Sequence, residues 1–156
     1  MGVEIERKYL VEGDSWRGQI VSATRIVQGY LARGDVTVRA RIRGDRAYLT
    51  VKGRSQGIAR SEFEYEIPVA DAETMLAELA DGPVVEKTRN LVEVGGHTWE
   101  LDVFAGANEG LVMAEIELAD ADEQFDLPQW AGAEVSDDPR YYNVNLAREP
   151  FSQWGR

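Results

Sequence analysis

Residues 36–43 read VTVRARIR, and so strict an alternation of apolar and polar side chains is the pattern of an extended strand. Successive side chains on a strand point to opposite faces, so Val36, Val38, Ala40 and Ile42 make an apolar face and Thr37, Arg39, Arg41 and Arg43 a basic one. The split recurs along the chain, and each polar face keeps nearly to one sign. EIERKYL (4–10) sets Glu4, Glu6 and Lys8 against Ile5, Arg7 and Tyr9. AYLTVK (47–52) sets Tyr48, Thr50 and Lys52 against Ala47, Leu49 and Val51. SEFEYEI (61–67) carries Glu62, Glu64 and Glu66, VEKTRNL (85–91) carries Lys87 and Arg89, TWELDVF (98–104) carries Glu100 and Asp102, and MAEIEL (113–118) carries Glu115 and Glu117.

An antiparallel sheet with one wet face accounts for any of these strands alone, and cross-strand Glu–Arg pairs would add about 0.2–1 kcal/mol each. Taken together the rows argue differently. Residues two apart on a strand lie roughly 7 Å from each other, so like charges repel unless an opposite charge fills the gap. Carboxylate pairs can share a hard divalent cation. Rows of arginine and lysine suit a chain of phosphate oxygens.

Strand-like segments fall at about 2–12, 20–33, 35–43, 46–53, 60–69, 84–95, 97–105 and 111–119, with glycine turns such as Gly44-Asp45 and Gly95-Gly96 between them. DAETMLAELA (71–80) reads as a helix capped by Asp71, with Met75, Leu76 and Leu79 on one face. Weaker helix patterns lie near 120–125 and 139–148. Eight strands can close into a barrel whose interior holds a small ligand. The prediction is a mainly β α+β fold: a closed eight-stranded antiparallel barrel, charged inside and apolar outside, with helices packed on its exterior. The ligand expected for such a lining is a short phosphate chain carrying Mg²⁺ or Mn²⁺.

A length of 156 residues suits one domain, taken here as 1–156. The net charge of −11 argues against nucleic acid held by a general basic field, while leaving room for a local basic interior. No apolar run is long enough for a membrane helix, no leader pattern is visible, and there are no cysteines, so a cytoplasmic location is expected.

These residues resemble the CYTH superfamily, the triphosphate tunnel metalloenzymes. EIERK resembles the ExExK motif as Glu4, Glu6 and Lys8. VRARIR, LTVKG, RSEFEYEI, VEKTRNLV, WELDVFAG and VMAEIEL follow in family order, and DPRYYNVNLA resembles the C-terminal plug helix, through Arg140, Tyr141, Asn143, Leu146 and Ala147. The resemblance implies metal-dependent hydrolysis of inorganic triphosphate or a related short triphosphate in a tunnel closed by that helix. Its implied triphosphate ligands are Lys8, Arg39, Arg41, Lys52, Lys87 and Arg89. The implied metal ligands are Glu4, Glu6, Asp102, Glu115 and Glu117, with Glu62 and Glu64 as further tunnel carboxylates. Glu4, Glu6, Lys8, Lys52 and Lys87 form the implied catalytic set. Tyr142 stands where relatives often carry Lys, and Val144 where the position can be polar. Class IV adenylyl cyclase, thiamine triphosphatase and a non-catalytic polyphosphate-binding module stay open as alternatives. The oligomeric state is left open too, a homodimer among the arrangements allowed.

Other residues are expected to stand apart from the chemistry. His97, the only histidine, reads as a solvated turn residue, and 53–57 as a hairpin loop and not a phosphate cradle. Glu66 and Glu100 read as solvated strand ends, Arg43 as intermediate, and Trp16, Trp130 and Trp154 as packing residues.

Overall fold

The computed structural model describes residues 2–154. Its strands are β1 (Val3–Val11), β2 (Ile20–Ala32), β3 (Thr37–Arg43), β4 (Arg46–Lys52), β5 (Ala59–Ile67), β6 (Val85–Val94), β7 (His97–Ala105), β8 (Val112–Glu117) and β9 (Ala131–Glu134). The first eight run antiparallel in the order β5-β4-β3-β2-β6-β7-β8-β1, and a further β5–β1 pairing closes the ring. That closure is short, joining Val3, Glu4 and Ile5 to Ser61, Arg60 and Ala59. The eight strands anticipated from alternation are all present. Strand β9 was not anticipated, because AGAE carries no alternation and no β-branched residue. It lies outside the ring, against Tyr9 and Val11 of β1.

The barrel is inverted as expected, with two apolar clusters in different places. One lies on the exterior, where Tyr9, Val92, Trp99, Leu101, Ala114 and Ile116 meet Trp16, Leu118 and Trp130 from flanking segments. Trp99 stands edge-on to Tyr9, Phe125 and Trp130, with ring centroids 5.5–5.8 Å apart, a preferred arrangement for aromatic quadrupoles. The other cluster contains Tyr30, Val85, Phe104 and Met113, whose strand parity places them inside the ring, together with Leu146 and Ala147 from helix α2 (Asn143–Arg148). This second cluster seals one end of the lumen.

The helices depart from expectation in detail. Helix α1 spans Val69–Thr74 and continues as a π-type turn over Met75–Leu79. Pro68, with its fixed φ, occupies the cap, and Asp71 lies inside the first turn without capping it. The wider π turn carries Leu79 off the packed stripe, leaving it 59% exposed. This segment lies close over β2, where a Cβ on Gly29 would come within 3.0 Å of Leu76. Residues 120–125 form no helix, because the Asp120 carboxylate accepts the Asp122 N–H and folds the chain into a turn. The 139–148 pattern is broken at Tyr142, whose extended backbone separates a 3₁₀ turn (Pro139–Tyr141) from α2. Exterior cover is incomplete at Phe63 and Tyr65 of β5, which are 49% and 61% exposed.

Candidate active site

Alternation on the strands delivers the charged rows into the lumen. Glu4, Glu6, Lys8, Arg39, Arg41, Lys52, Glu62, Glu64, Lys87, Arg89, Glu115 and Glu117 all line one cavity of about 160 Å³. Of the thirteen residues singled out from sequence, only Asp102 stands behind the wall. It is 1% exposed, accepts from Arg89 Nε and Nη2 at 2.8 Å each, and meets Lys87 Nζ at 2.7 Å.

The charges are segregated. β1 and β8 bring carboxylates together, with Glu6 directly across from Glu117 and Lys8 across from Glu115. β3 and β6 supply the basic side. Lysines join the two: Lys52 Nζ lies 3.1 Å from Glu4 and 3.3 Å from Glu62, and Lys8 Nζ 3.7 Å from Glu115. Arg60 Nε contacts Glu4 at 3.3 Å.

The titration behaviour follows from this crowding. Burial raises the Glu6 carboxyl well above its ordinary range, and Glu115 and Glu4 push it further. Burial acts the same way on Glu115, but Lys8, Arg89 and Lys87 outweigh it and hold that carboxyl well below the usual range. Glu4 is also held low, Lys52 and Arg60 overcoming its burial. On the basic side, burial reinforced by Arg39 and Arg89 pushes Arg41 down to about 9. Burial takes Lys87 down to about 7 even though Asp102 opposes it. Arg39 has its Nε buried without a protein acceptor.

Uncharged residues also shape the site: Asn143 and Tyr142 of the plug segment line the cavity, while Gln28 and Thr50 brace its charged lining, and Gln28 carried no mark in the sequence. Gln28, fully buried, accepts from Arg41 Nε at 2.7 Å and donates to Asn143 Oδ1 at 3.3 Å. Asn143, the first residue of α2, also accepts from Lys87 Nζ at 2.9 Å. Thr50 accepts from Arg39 at 3.1 Å and donates to Glu64 at 2.9 Å. Tyr142, anchored through its hydroxyl to the Ser136 carbonyl at 3.0 Å, places its ring 5.3 Å from Lys8 Nζ. Glu100 differs from expectation: it lines the cavity and meets Arg89 at 3.3 Å. His97 differs too. It opens β7, half-buried, with Nε2 2.7 Å from Glu123 and its ring edge-on to Phe125. Arg43 lines the cavity at its exposed end, its guanidinium over the Tyr48 ring, while Glu66 is exposed and pairs with Arg46. Trp16 and Trp130 pack as expected, and Trp154 lies against Tyr141 and Phe151.

Among the described residues, no three carboxylates converge on one point as a ready-made metal cage. The donor chemistry still fits a hard divalent ion. Mg²⁺ is commonly held by one or two carboxylates, with water and substrate phosphate oxygens completing its shell. Glu115 and Glu4 also repel the Glu6 carboxylate, a repulsion that a bound cation would relieve.

A closed barrel with a basic and an acidic side facing one cavity makes this a charged-tunnel protein. The chain belongs to the CYTH domain family, whose pattern matches residues 2–142. It is similar to the inorganic triphosphatase of Acetivibrio thermocellus, 48% identical over 155 residues and 99% of each chain. The inorganic triphosphatase of Nitrosomonas europaea is 38% identical over 149 residues, covering 92% of this chain and 96% of the relative. The crystal structure of the inorganic triphosphatase NE1496 superposes with a TM-score of 0.68 at 37% identity, over 94% of this chain and 95% of that one. HpAC1 from Hippeastrum, 15% identical over 77% of this chain and 80% of its own, shares the fold with a TM-score of 0.58. Among the described residues no helix is long and apolar enough to cross a membrane.

Proposed function

We propose that the tunnel binds inorganic triphosphate and hydrolyses it to orthophosphate and pyrophosphate with Mg²⁺ or Mn²⁺. The carrying observation is the row of buried cations facing the cavity, with Arg39 Nε lacking a protein acceptor and Arg41 crowded by its neighbours. Such groups are costly to bury unless an anion meets them. The similarity to two inorganic triphosphatases over nearly the whole chain supports the same reading.

In this scheme Arg39, Arg41, Lys52, Lys87, Arg89 and Lys8 bind phosphate oxygens and spread the charge that grows as the terminal phosphoryl group transfers. Glu6, Glu115 and Glu117 would hold the divalent ion, with Glu4 and Glu62 completing the carboxylate side. Bound there, the metal would supply charge neutralisation and orientation of the phosphate chain. Asp102 is assigned a positioning role: with both oxygens taken by Arg89 and Lys87, it fixes the two basic side chains instead of binding metal. Glu64 steadies Arg39 through Thr50. Alternatives on the same scaffold differ in the group attached to the phosphates, so a panel separates them. Orthophosphate release from tripolyphosphate, pyrophosphate, ATP and thiamine triphosphate is measured with Mg²⁺ and with Mn²⁺, alongside cyclic AMP by mass spectrometry. Tripolyphosphate should lead with either metal, and Glu4→Ala or Lys8→Ala should abolish its turnover. Binding of tripolyphosphate without any phosphate release would identify a binding module and end the proposal.

A further inference from the structure

The edge of β1 facing β5 and β9 is incompletely covered. β5 pairs with it only over Val3–Ile5, and β9 only at Tyr9 and Val11. Between them, beside Glu6 and Lys8, loops replace strands. The Glu6 N–H donates to the Ile58 carbonyl at 3.3 Å, the Lys8 N–H donates to Ser136 Oγ at 2.9 Å, and the Lys8 carbonyl accepts from the Val135 N–H at 2.8 Å. A second, smaller cavity of about 30 Å³ lies in this seam, walled by Ser55, Gly57, Ile58 and Ser136. It shares Glu4, Glu6, Lys8, Arg60 and Tyr142 with the main cavity, so the two adjoin along the acidic side of the lumen. Ser55 and Gly57 are exposed, whereas Ile58 and Ser136 are half-buried, which orders them from solvent inward.

We propose that this seam is a side port, admitting water to the Glu6–Lys8 region by a route separate from the mouth through which the polyanion enters. The inference rests on the hydrolase reading for its purpose, though not for its geometry. In each turnover the oxygen of one water bonds to the terminal phosphorus as the bridging P–O bond breaks. Pyrophosphate leaves with the electron pair, and the water's protons pass to the products and solvent. A polyanion lying along the basic row fills the lumen, and the Leu146 cluster seals one end, so that water needs another path. The seam suits it. Its volume exceeds the roughly 10–15 Å³ needed for one water, and hydroxyl, carboxylate and ammonium groups supply the two to four polar partners a water requires. At about 30 Å³ against about 160 Å³ in the main cavity, it is too narrow for a phosphate chain.

The chain has no cysteine, so single thiols report access cleanly. I58C and S136C, on facing walls, are treated with methyl methanethiosulfonate with and without saturating tripolyphosphate. A side port predicts labelling rates that agree within about twofold in the two conditions, because access bypasses the occupied lumen. Labelling I58C with the bulkier benzyl reagent should lower kcat about tenfold or more and leave tripolyphosphate binding within about threefold, measured by calorimetry. Protection of both thiols by tripolyphosphate, or full kcat after benzyl labelling, overturns the port. Failure of the unlabelled enzyme to release phosphate overturns the triphosphatase reading instead, and the protection experiment still decides the port.

Discussion

Replacing Asp102 with Asn keeps the side chain's size and removes its charge, so it tests what holds the basic side of the tunnel together. In the wild type one carboxylate serves two buried cations, through two 2.8 Å bonds from Arg89 and a 2.7 Å contact from Lys87. The amide offers a single acceptor and turns a donor toward groups that have only donors. Removing one partner of a buried ion pair typically costs ~3–5 kcal/mol. The lower end is expected at neutral pH, because Lys87, already down at about 7, can shed its proton when its counter-charge disappears, whereas Arg89 cannot. A cost of about 3 kcal/mol in a domain of this size corresponds to a Tm lower by roughly 6–12 °C. Calorimetry on both proteins should also find a larger gap at pH 6, where the wild-type Lys87 is charged and paired, than at pH 9, where it is neutral in both. Tripolyphosphate should raise the variant's Tm by more than the wild type's, since a bound anion replaces the missing negative charge. A variant melting within about 2 °C of wild type at pH 6 would refute the reasoning, because the cations would then be solvated and the triad energetically idle.

The depressed Lys87 has a consequence of its own. Its folded value of about 7 lies below its unfolded one, so between the two the unfolded chain binds more protons and ligand-free stability should rise with pH. A Lys87→Met variant should lack that rise in urea titrations at pH 7 and pH 10. Tripolyphosphate binding at pH 8 should draw a proton onto Lys87, seen as a dependence of the calorimetric heat on buffer ionisation enthalpy and absent from the same variant. Leu146→Ala, at a fully buried position in the sealing cluster, should cost ~2–5 kcal/mol and loosen α2 selectively in hydrogen exchange. Gln28→Leu leaves Arg41 Nε and Asn143 without their shared partner; a destabilisation of ~1–3 kcal/mol is expected, together with weaker tripolyphosphate binding.

The barrel was legible because its charges are in unusual places. Where an inward row is ionised, as at Arg39–Arg41 or Glu115–Glu117, alternation identifies both the strand and its lumen face. β2 was silent on that second point: its inward Ile26, Gln28 and Tyr30 carry no charge, so Gln28's bridge between Arg41 and the plug helix had no mark in the sequence. The position of Asp102 behind the wall was equally hidden, since an inward carboxylate looks alike whether it faces the cavity or backs onto Arg89. Glu100 and His97 were misjudged because their partners come from elsewhere: Arg89 on β6 meets Glu100, and Glu123 and Phe125, far along the chain, meet His97. The π turn after α1 and the short β9 depend on packing against the finished barrel, which local pattern does not encode.

Away from its sealed end, the inverted barrel sets outer packing and cavity lining on opposite faces of the same strands. Lys8 faces the lumen and Tyr9 the exterior cluster, and Glu115 and Ile116 divide the same way. Along these stretches outer packing and cavity lining sit on alternate positions of one strand, and a substitution at a cavity-facing position leaves the outer packing uncut. A lineage could retune the lumen for a longer or bulkier anion through odd-or-even changes along each stave while the outer apolar packing keeps the fold intact.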